Sequence, residues 1–389
     1  MLLNTSLFNQ LLQHFPRTEF GSLVKETKAE RHARGFTCWG QFVAMLFCHL
    51  AHADSLRIIC NGLSSCLGKL KHLGISAAPS KSGLSYANLH RPAELFEKLF
   101  WIALHRFRSQ SMLGRGGKEF RFKNKLVILD STTISLCLSL FPWAQFKKVK
   151  GGVKAHMLIE HDDYMPRFVH LTTASHSDVK AAHQVPVQRG SIVVMDRAYT
   201  DFLLWAKWIT QGMYFVTRLR HDLQFKVIEQ RPVPQNRNII RDQLISLTSD
   251  HAKRQCPFPL RRVEVWNPEK QETLILLTNH LTFGSSTISD IYRQRWQIEV
   301  FFKALKQNLK IKTFVGTSEN ALRIQIWTAL IAMMLLRWLH FLSKRNWSFS
   351  NLAALLQLNL FTYRDLLEWL KDPSKAPPLQ PAQFSLAWE

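Results

Sequence analysis

Acidic residues are what this sequence is short of. Among 389 residues it carries 28 Asp and Glu against 51 Lys and Arg, a formal net charge of +23. Such an imbalance implies a polyanionic partner, because each phosphate neutralised by a base releases a counterion. Nucleic acid is the first reading, although ribosomal and membrane-surface proteins share the signature. Paired cysteine motifs are also missing. The six cysteines, at 38, 48, 60, 66, 137 and 256, show no CxxC and match no zinc spacing, and apolar surroundings such as "MLFCHL" predict buried, reduced thiols. The start lacks the basic segment and long apolar core of a signal peptide. A comfortable membrane span is lacking too: the run "IQIWTALIAMMLLRWLHFL" from Ile324 is bracketed by Gln325 and Arg337 and reads as a buried core helix. There is no internal repeat. These absences predict a cytoplasmic protein without a membrane partner, and the length suits two or three domains.

What is present falls into blocks. Residues 1–112 read as helical: "CWGQFVAMLFCHLAHADSLRIICNGL" has long apolar periodicity without strand alternation, and Pro92 opens the amphipathic "RPAELFEKLFWIALHRF". The Gly-rich, basic stretch 113–124 reads as a linker. From Lys125 the pattern changes to "KLVILDSTTISL", "GGVKAHMLIEHD" and "PRFVHLTTA", three short β-rich runs. "DVKAAHQV" then reads as helix, "SIVVMD" as strand, "DFLLWAKWITQG" as helix and "MYFVTRL" as strand. The order β-β-β-α-β-α-β describes an α/β mixed sheet with flanking helices. Residues 222–280 read as mostly β, and their position suggests an insertion between the sheet and the helices that follow. Helices return over 281–345, and 346–389 closes the chain with a helical segment and a Pro-rich tail.

Two strands end alike, "LVILD" at Asp130 and "IVVMD" at Asp196. Crevices at strand ends are where reactive groups converge in α/β sheets, although Asp130 also suits a turn cap and Asp196 a pair with Arg197. The third acid sits in "YRQRWQIEVFFKALKQNLK", where Glu299 stands among bases. Read as one helix from Tyr292, at about 100° per residue, Glu299 falls at about −20°, Lys306 at about −40° and Arg295 at about −60°. The plain alternative is a solvated face with i,i+4 pairs Arg295–Glu299 and Glu299–Lys303. Phosphodiester chemistry offers a fuller reason for such a set. A few carboxylates suffice to hold Mg²⁺, a hard ion that keeps several waters, and two such ions serve in-line displacement. Asp130, Asp196 and Glu299 form the candidate set, with the bases around Glu299 left to hold DNA.

These residues resemble a known family. The spacing Tyr292, Arg295, Glu299, Lys306 is similar to the Y-R-E-K signature of DDE transposases from insertion-sequence family four. "MDRAYTDF", with Asp196, Ala198, Tyr199 and Phe202, resembles the second-acid motif of that family, and "LDSTTI" the first. "LSYANLHR" is similar to the N-terminal domain often attached to these enzymes. The resemblance implies a ribonuclease H-like core over 125–221 and 281–345, interrupted by the β-rich insertion, and a DNA-binding N-terminal domain. It implies cut-and-paste transposition dependent on Mg²⁺, with Mn²⁺ as a substitute and two ions per site on Asp130, Asp196 and Glu299. Its partners would be terminal inverted repeats and target DNA, with two copies on paired ends. Tyr292, Arg295 and Lys306 would orient DNA, with Lys303 beside them, and Arg218 of "FVTRLR" is a further DNA contact. An aromatic residue of the insertion stacks on a flipped base in that scheme; Trp266 is the candidate, against a packed strand Trp.

The remaining conspicuous residues have blander readings. His156 suits a satisfied strand histidine, and Ser177 or Asp178 a helix cap, although His176 and Asp178 lie near enough in sequence to reach a site. Glu160, Asp162 and Asp163 read as a solvated turn. Lys147, Lys148, Lys150 and Lys154 read as a DNA-backbone patch, and Trp205 and Trp208 as core. Two rivals stand beside the transposase, an inert DNA-binding regulator derived from one and a plain metal-dependent nuclease.

Overall fold

In the run "LVILDSTTISL" apolar residues give way to alternation, and a single long strand, β1 (Leu126–Leu136), results. It belongs to a computed structural model that describes residues 5–374 other than 32, 34, 67–69, 114–119, 148, 149, 221, 236, 308–313 and 344–346. Half of the expected linker, Lys148 of the basic patch and most of the Pro-rich tail lie outside those residues, as do Leu309 and Lys310. Contacts divide the chain into two units, Arg115–Lys303 and a second made of Met1–Gly114 with Ala304–Glu389.

The unit Arg115–Lys303 is built on one mixed sheet. After β1 come β2 (Gln145–Lys147), β3 (Lys150–Glu160), β4 (Pro166–Thr173), β5 (Ile192–Val194), β6 (Tyr214–Arg218), β7 (Phe225–Gln230), β8 (Ile239–Leu247), β9 (Leu260–Asn267) and β10 (Glu272–Thr278). The sheet runs β2-β3-β1-β5-β6-β10-β9-β8-β7, with β4 paired to β3. β1, β5 and β6 are mutually parallel, and the other pairings are antiparallel. The strands of 222–280 therefore continue the same sheet, joined where β10 pairs with β6 (Leu276↔Arg218).

Side-chain parity assigns the two faces. Val127, Leu129, Val193, Met195 and Phe215 pack with Leu204, Trp205 and Trp208 of the Phe202–Thr210 helix, and both Trp are core as expected. Leu126, Ile192, Val194, Val216 and Leu276 look the other way, onto Ile288 and Ile291 of the Ser285–Arg293 helix. Fully burying one such aliphatic side chain stabilises by roughly 1.5–3 kcal/mol, enough for two of them to seat that helix on its face.

Two expectations change here. The stretch from Tyr292 is not one helix: Ser285–Arg293 ends at the cap Gln294, and a second helix spans Trp296–Gln307. Ile288 and Ile291 are committed to the sheet, and the chain turns through Gln294 and Arg295 before Ile298 and Phe301 are buried in their turn. The acidic turn is solvated only at Asp162: Glu160 and Asp163 are buried, and Glu160 pairs with Arg167 at 3.0 Å and Lys125 at 3.6 Å. β8 went unread because Arg241, Asp242 and Gln243 interrupt its apolar pattern. Asp242 is paired bidentately with Arg261 at 2.8 and 2.6 Å, and Gln243 accepts from Arg262 at 2.6 Å.

Past β10, His280 stacks on Phe283 with ring centroids 3.5 Å apart, and its Nδ1 accepts from the Phe283 amide at 3.3 Å. Burial, and then the charge of Arg261, lowers its pKa to about 4. Between the ordinary 6.5 and about 4 the unfolded chain holds more protons than the folded one. Stability contributed by neutral His280 is thus present above pH 6.5 and lost as the pH falls toward 4. His280→Phe is expected to flatten the acid limb of a urea-midpoint profile; an unchanged limb would refute this.

The other unit is helical. Its described helices are Leu7–Leu12, Arg17–Glu26, Cys38–Leu50, Leu56–Ser64, Lys81–His90, Glu94–Ser109, Glu319–Leu342, Phe349–Asn359 and Leu366–Lys371. Every residue of Cys38–Leu50 is buried, and Thr37 caps it by accepting from the Gly40 amide at 3.1 Å. Its packing partners include Glu319–Leu342, where His49 Nε2 and Thr328 Oγ1 lie 3.0 Å apart. Glu319–Leu342 is long and apolar enough to cross a membrane by composition alone, yet 83% of its apolar window is buried within the protein. Gln325 accepts from the Val315 amide at 2.9 Å and Arg337 stacks on Phe349, so both bracketing polar residues have internal roles. Cys38, Cys48, Cys60 and Cys256 are buried, but Cys66 is half-buried and Cys137 exposed, against expectation.

Candidate active site

Strand register brings the first two acids together. β1 and β5 pair in parallel as Leu126↔Ile192, Val127↔Val193 and Ile128↔Val194. Asp130 and Asp196 each lie two residues beyond the last matched pair, and the charge of Asp196 is felt at the Asp130 carboxyl. Parity turns both toward the face that carries the Ser285–Arg293 helix, and Arg218, two residues beyond Val216 on β6, shares it. Against expectation, Asp130 does not end its strand; β1 continues to Leu136 against β3, and it is β5 that stops short. Asp196 caps the turn Arg197–Tyr199, accepting from the Ala198 amide at 2.8 Å.

Glu299 joins them through Arg295. One guanidinium nitrogen lies 2.5 Å from Glu299 Oε1 and another 3.8 Å from Asp130 Oδ2. The plain i,i+4 pair therefore forms, but it also reaches across to the sheet. Because Arg295 sits in the turn between two helices, its side chain is free of the geometry a continuous helix would impose. The Tyr292 hydroxyl is raised by burial first, against the lowering charges of Arg295 and Arg218 and with the raising charge of Asp196, so all three groups are felt at Tyr292. Arg218 also pairs with Glu272 at 3.5 Å. Lys303 is exposed, and Lys306, half-buried in the last turn of Trp296–Gln307, belongs to the other unit.

A cleft of about 450 Å³ opens beside this cluster, lined among others by Asn238, Trp266, Tyr292, Arg295 and Trp296. Trp266 is 36% exposed there, so the packed-strand reading does not hold. Trp296, 57% exposed, was not singled out; its place next to the turn gave no sequence signal.

The opposite face holds a cluster that sequence reasoning dispersed. Asp178 does not cap its helix: its carboxylate accepts from Ser131 Oγ at 2.5 Å and Lys154 Nζ at 3.2 Å, and His156 Nδ1 lies 3.3 Å away. Lys154 is thus no DNA-facing base, and His156 sits between Asp178 and Thr172, its Nε2 3.0 Å from Thr172 Oγ1. Burial alone would raise the Asp178 carboxyl, but hydrogen bonds from His156 and Ser131 and the charge of Lys154 hold it below the usual carboxylate range. The available signal was parity, since Ser131 faces His156 across the β1–β3 register and Lys154 lies two residues on.

Known proteins supply the context. The sequence profile of the family described as Transposase DDE domain matches residues 121–335, more than half of the chain. The chain belongs to the DDE transposase family. Residues 4–76 match a second family described only as a domain of unknown function. Over 320 residues, 80% of this transposase and 87% of the relative, it is 29% identical to a protein of Sinorhizobium fredii named as transposase y4zB. Over 279 residues, 72% of each chain, it is 26% identical to the transposase named for insertion sequence element IS5377 of Geobacillus stearothermophilus. A cryo-EM structure of the piggyBac transposase synaptic complex with hairpin DNA aligns with 98% of this chain and 84% of that one, at a TM-score of 0.43 and 11% identity.

DDE domains generally use divalent ions. Asp130, Asp196 and Glu299 offer carboxylate oxygens, the donors such ions take. The Asp130 carboxyl is pushed up to about 7, by burial first and also by the charges of Asp196 and Glu299, against the Ser131 amide and Arg295. It is a group that a nearby cation would relieve. Among the described residues no three His, Cys, Asp or Glu side chains stand close enough to grip an ion as they are; Arg295 supplies the positive charge between Asp130 and Glu299.

Proposed function

We propose that this DDE transposase serves an insertion sequence of family four, with the Y-R-E-K residues Tyr292, Arg295, Glu299 and Lys306, and moves DNA by cut and paste. The observation that carries the reading is that Asp130 and Asp196 each lie two residues beyond the register of two parallel strands, with Glu299 tied to Asp130 through one guanidinium. In this reading Asp130, Asp196 and Glu299 would hold two Mg²⁺, or Mn²⁺ in their place, and the bound charge would serve in-line displacement at phosphorus. Arg295 exchanges its carboxylates for a DNA phosphate as the site fills, a trade its bidentate guanidinium suits. Tyr292, Arg218, Lys303 and Lys306 orient the strand. The Trp266 cleft, with both a ring and polar Asn238 on its walls, suits a base taken out of the stack.

The catalytic core is read as ribonuclease H-like over 125–221 and 281–345, with 222–280 as an insertion. Residues 1–112 form a DNA-binding domain joined by 113–124, 346–389 complete the chain, and two copies act on paired ends. Purified protein, a duplex ending in the element's inverted repeat, a target plasmid and Mg²⁺ test this. Nicking at the repeat end followed by joining of the freed 3′-OH to the plasmid is expected. Nicking without joining would mark a hydrolytic nuclease, and repeat binding without metal-dependent nicking an inert regulator.

A further inference from the structure

We propose that Asp178 is a positioning residue for Asp130, acting from the opposite face of the sheet through Ser131. The inference rests on the reading of Asp130 as a metal ligand. Two hydrogen bonds form the connection. The Ser131 amide donates to Asp130 Oδ1 at 2.7 Å, and the Ser131 hydroxyl donates to Asp178 Oδ1 at 2.5 Å. Successive residues of a strand point to opposite faces, so Ser131 presents its side chain to the back of the sheet while its amide serves the front.

Asp178 is itself fixed from two further directions. Lys154 Nζ reaches Asp178 Oδ2 at 3.2 Å and also donates to the His176 carbonyl at 3.1 Å, which pins the Asp178 end of the segment. His156, 1% exposed, stands 3.3 Å from Asp178 Oδ1 and is held by Thr172. Lys154 and His156 both belong to β3, the antiparallel neighbour of β1, where Ser131 is paired with His156. The carboxylate thereby ties β1, β3 and the Asp178–Ala182 helix at the level of Asp130. Without it, β1 keeps its ladder to β3, but the Ser131 hydroxyl loses its partner and the amide that aims the Asp130 carboxylate loses its anchor. Groups that orient a metal ligand at one remove change metal affinity roughly 10- to 100-fold when they are removed.

The test is Mn²⁺ titration, followed by electron paramagnetic resonance, on the full-length, metal-stripped protein, alongside nicking kinetics. Asp178→Asn is expected to weaken Mn²⁺ binding roughly 10- to 100-fold and to lower kcat for nicking, with KM for the duplex unchanged. Ser131→Ala leaves the Lys154–Asp178 pair in place and is expected to act in the same direction, with Ser131→Thr restoring both readouts. That pair of variants carries the test if Asp178→Asn does not fold. Unchanged Mn²⁺ affinity in Ser131→Ala, or a loss that Ser131→Thr does not restore, overturns the positioning role. Asp130→Asn separates the two readings. If it loses Mn²⁺ while the Ser131 and Asp178 variants keep it, only the positioning role falls; if it keeps Mn²⁺, both fall.

Discussion

Asp196→Asn is expected to slow metal-dependent nicking by ~10³-fold, about 4 kcal/mol of transition-state stabilisation, while leaving the fold intact. The amide side chain is isosteric and its oxygen can still accept from the Ala198 amide, so the turn Arg197–Tyr199 keeps its cap. Only the charge is removed. Asp130→Asn is expected to match it in activity but to differ in stability. The folded-state pKa of Asp130 lies near 7 against an ordinary 3.8, so its protonated form is the one the fold prefers. The stability this contributes is complete below pH 3.8 and disappears as the pH rises through about 7. At pH 8, without metal, Asp130→Asn therefore melts above the parent protein. Nicking retained in either variant would remove that acid from the site, and a lowered Tm for Asp130→Asn would contradict the electrostatic account.

The largest expected loss of stability comes from Arg261→Ala. Arg261 and Asp242 are 4% and 2% exposed, and the substitution strands a buried carboxylate that had a bidentate partner. Breaking such a pair from one side costs about 3–5 kcal/mol, because the remaining charge stays buried without compensation. The damage also reaches toward the site. Arg261 donates to the Phe283 carbonyl and Arg231 to the Leu281 carbonyl at 2.6 Å, and this loop launches the Ser285–Arg293 helix. A denaturant midpoint shift of that size is expected, much of it recovered by the double variant Arg261→Met, Asp242→Leu. A double variant no better than Arg261→Ala would mean that the pair is needed for more than its own neutralisation.

How legible all this was depends on where charge was buried. The apolar runs ending in Asp130 and Asp196 announced two strands and two acids, because nothing inside those runs competed with the pattern. The break at Gln294 and Arg295 was invisible: no Pro or Gly marks it, and helical periodicity passes through it, so only the seating of Ile288 and Ile291 on the sheet decides it. β8 was hidden by Asp242, and the Asp178 cluster by the habit of assigning Asp before a helix to its cap. In both cases the carboxylate is paired with residues distant in sequence. Pairing of that kind has no local signature.

The division of the chain has a consequence for its birth on the ribosome. Cys38–Leu50 is buried along its whole length, and one of its partners, Glu319–Leu342, follows after some 270 residues have been added. At about 5–20 residues per second that interval lasts roughly 13–54 s. For that time a helix destined to be buried along its whole length waits for part of its cover. Nascent chains halted before Glu319 are the species expected to aggregate.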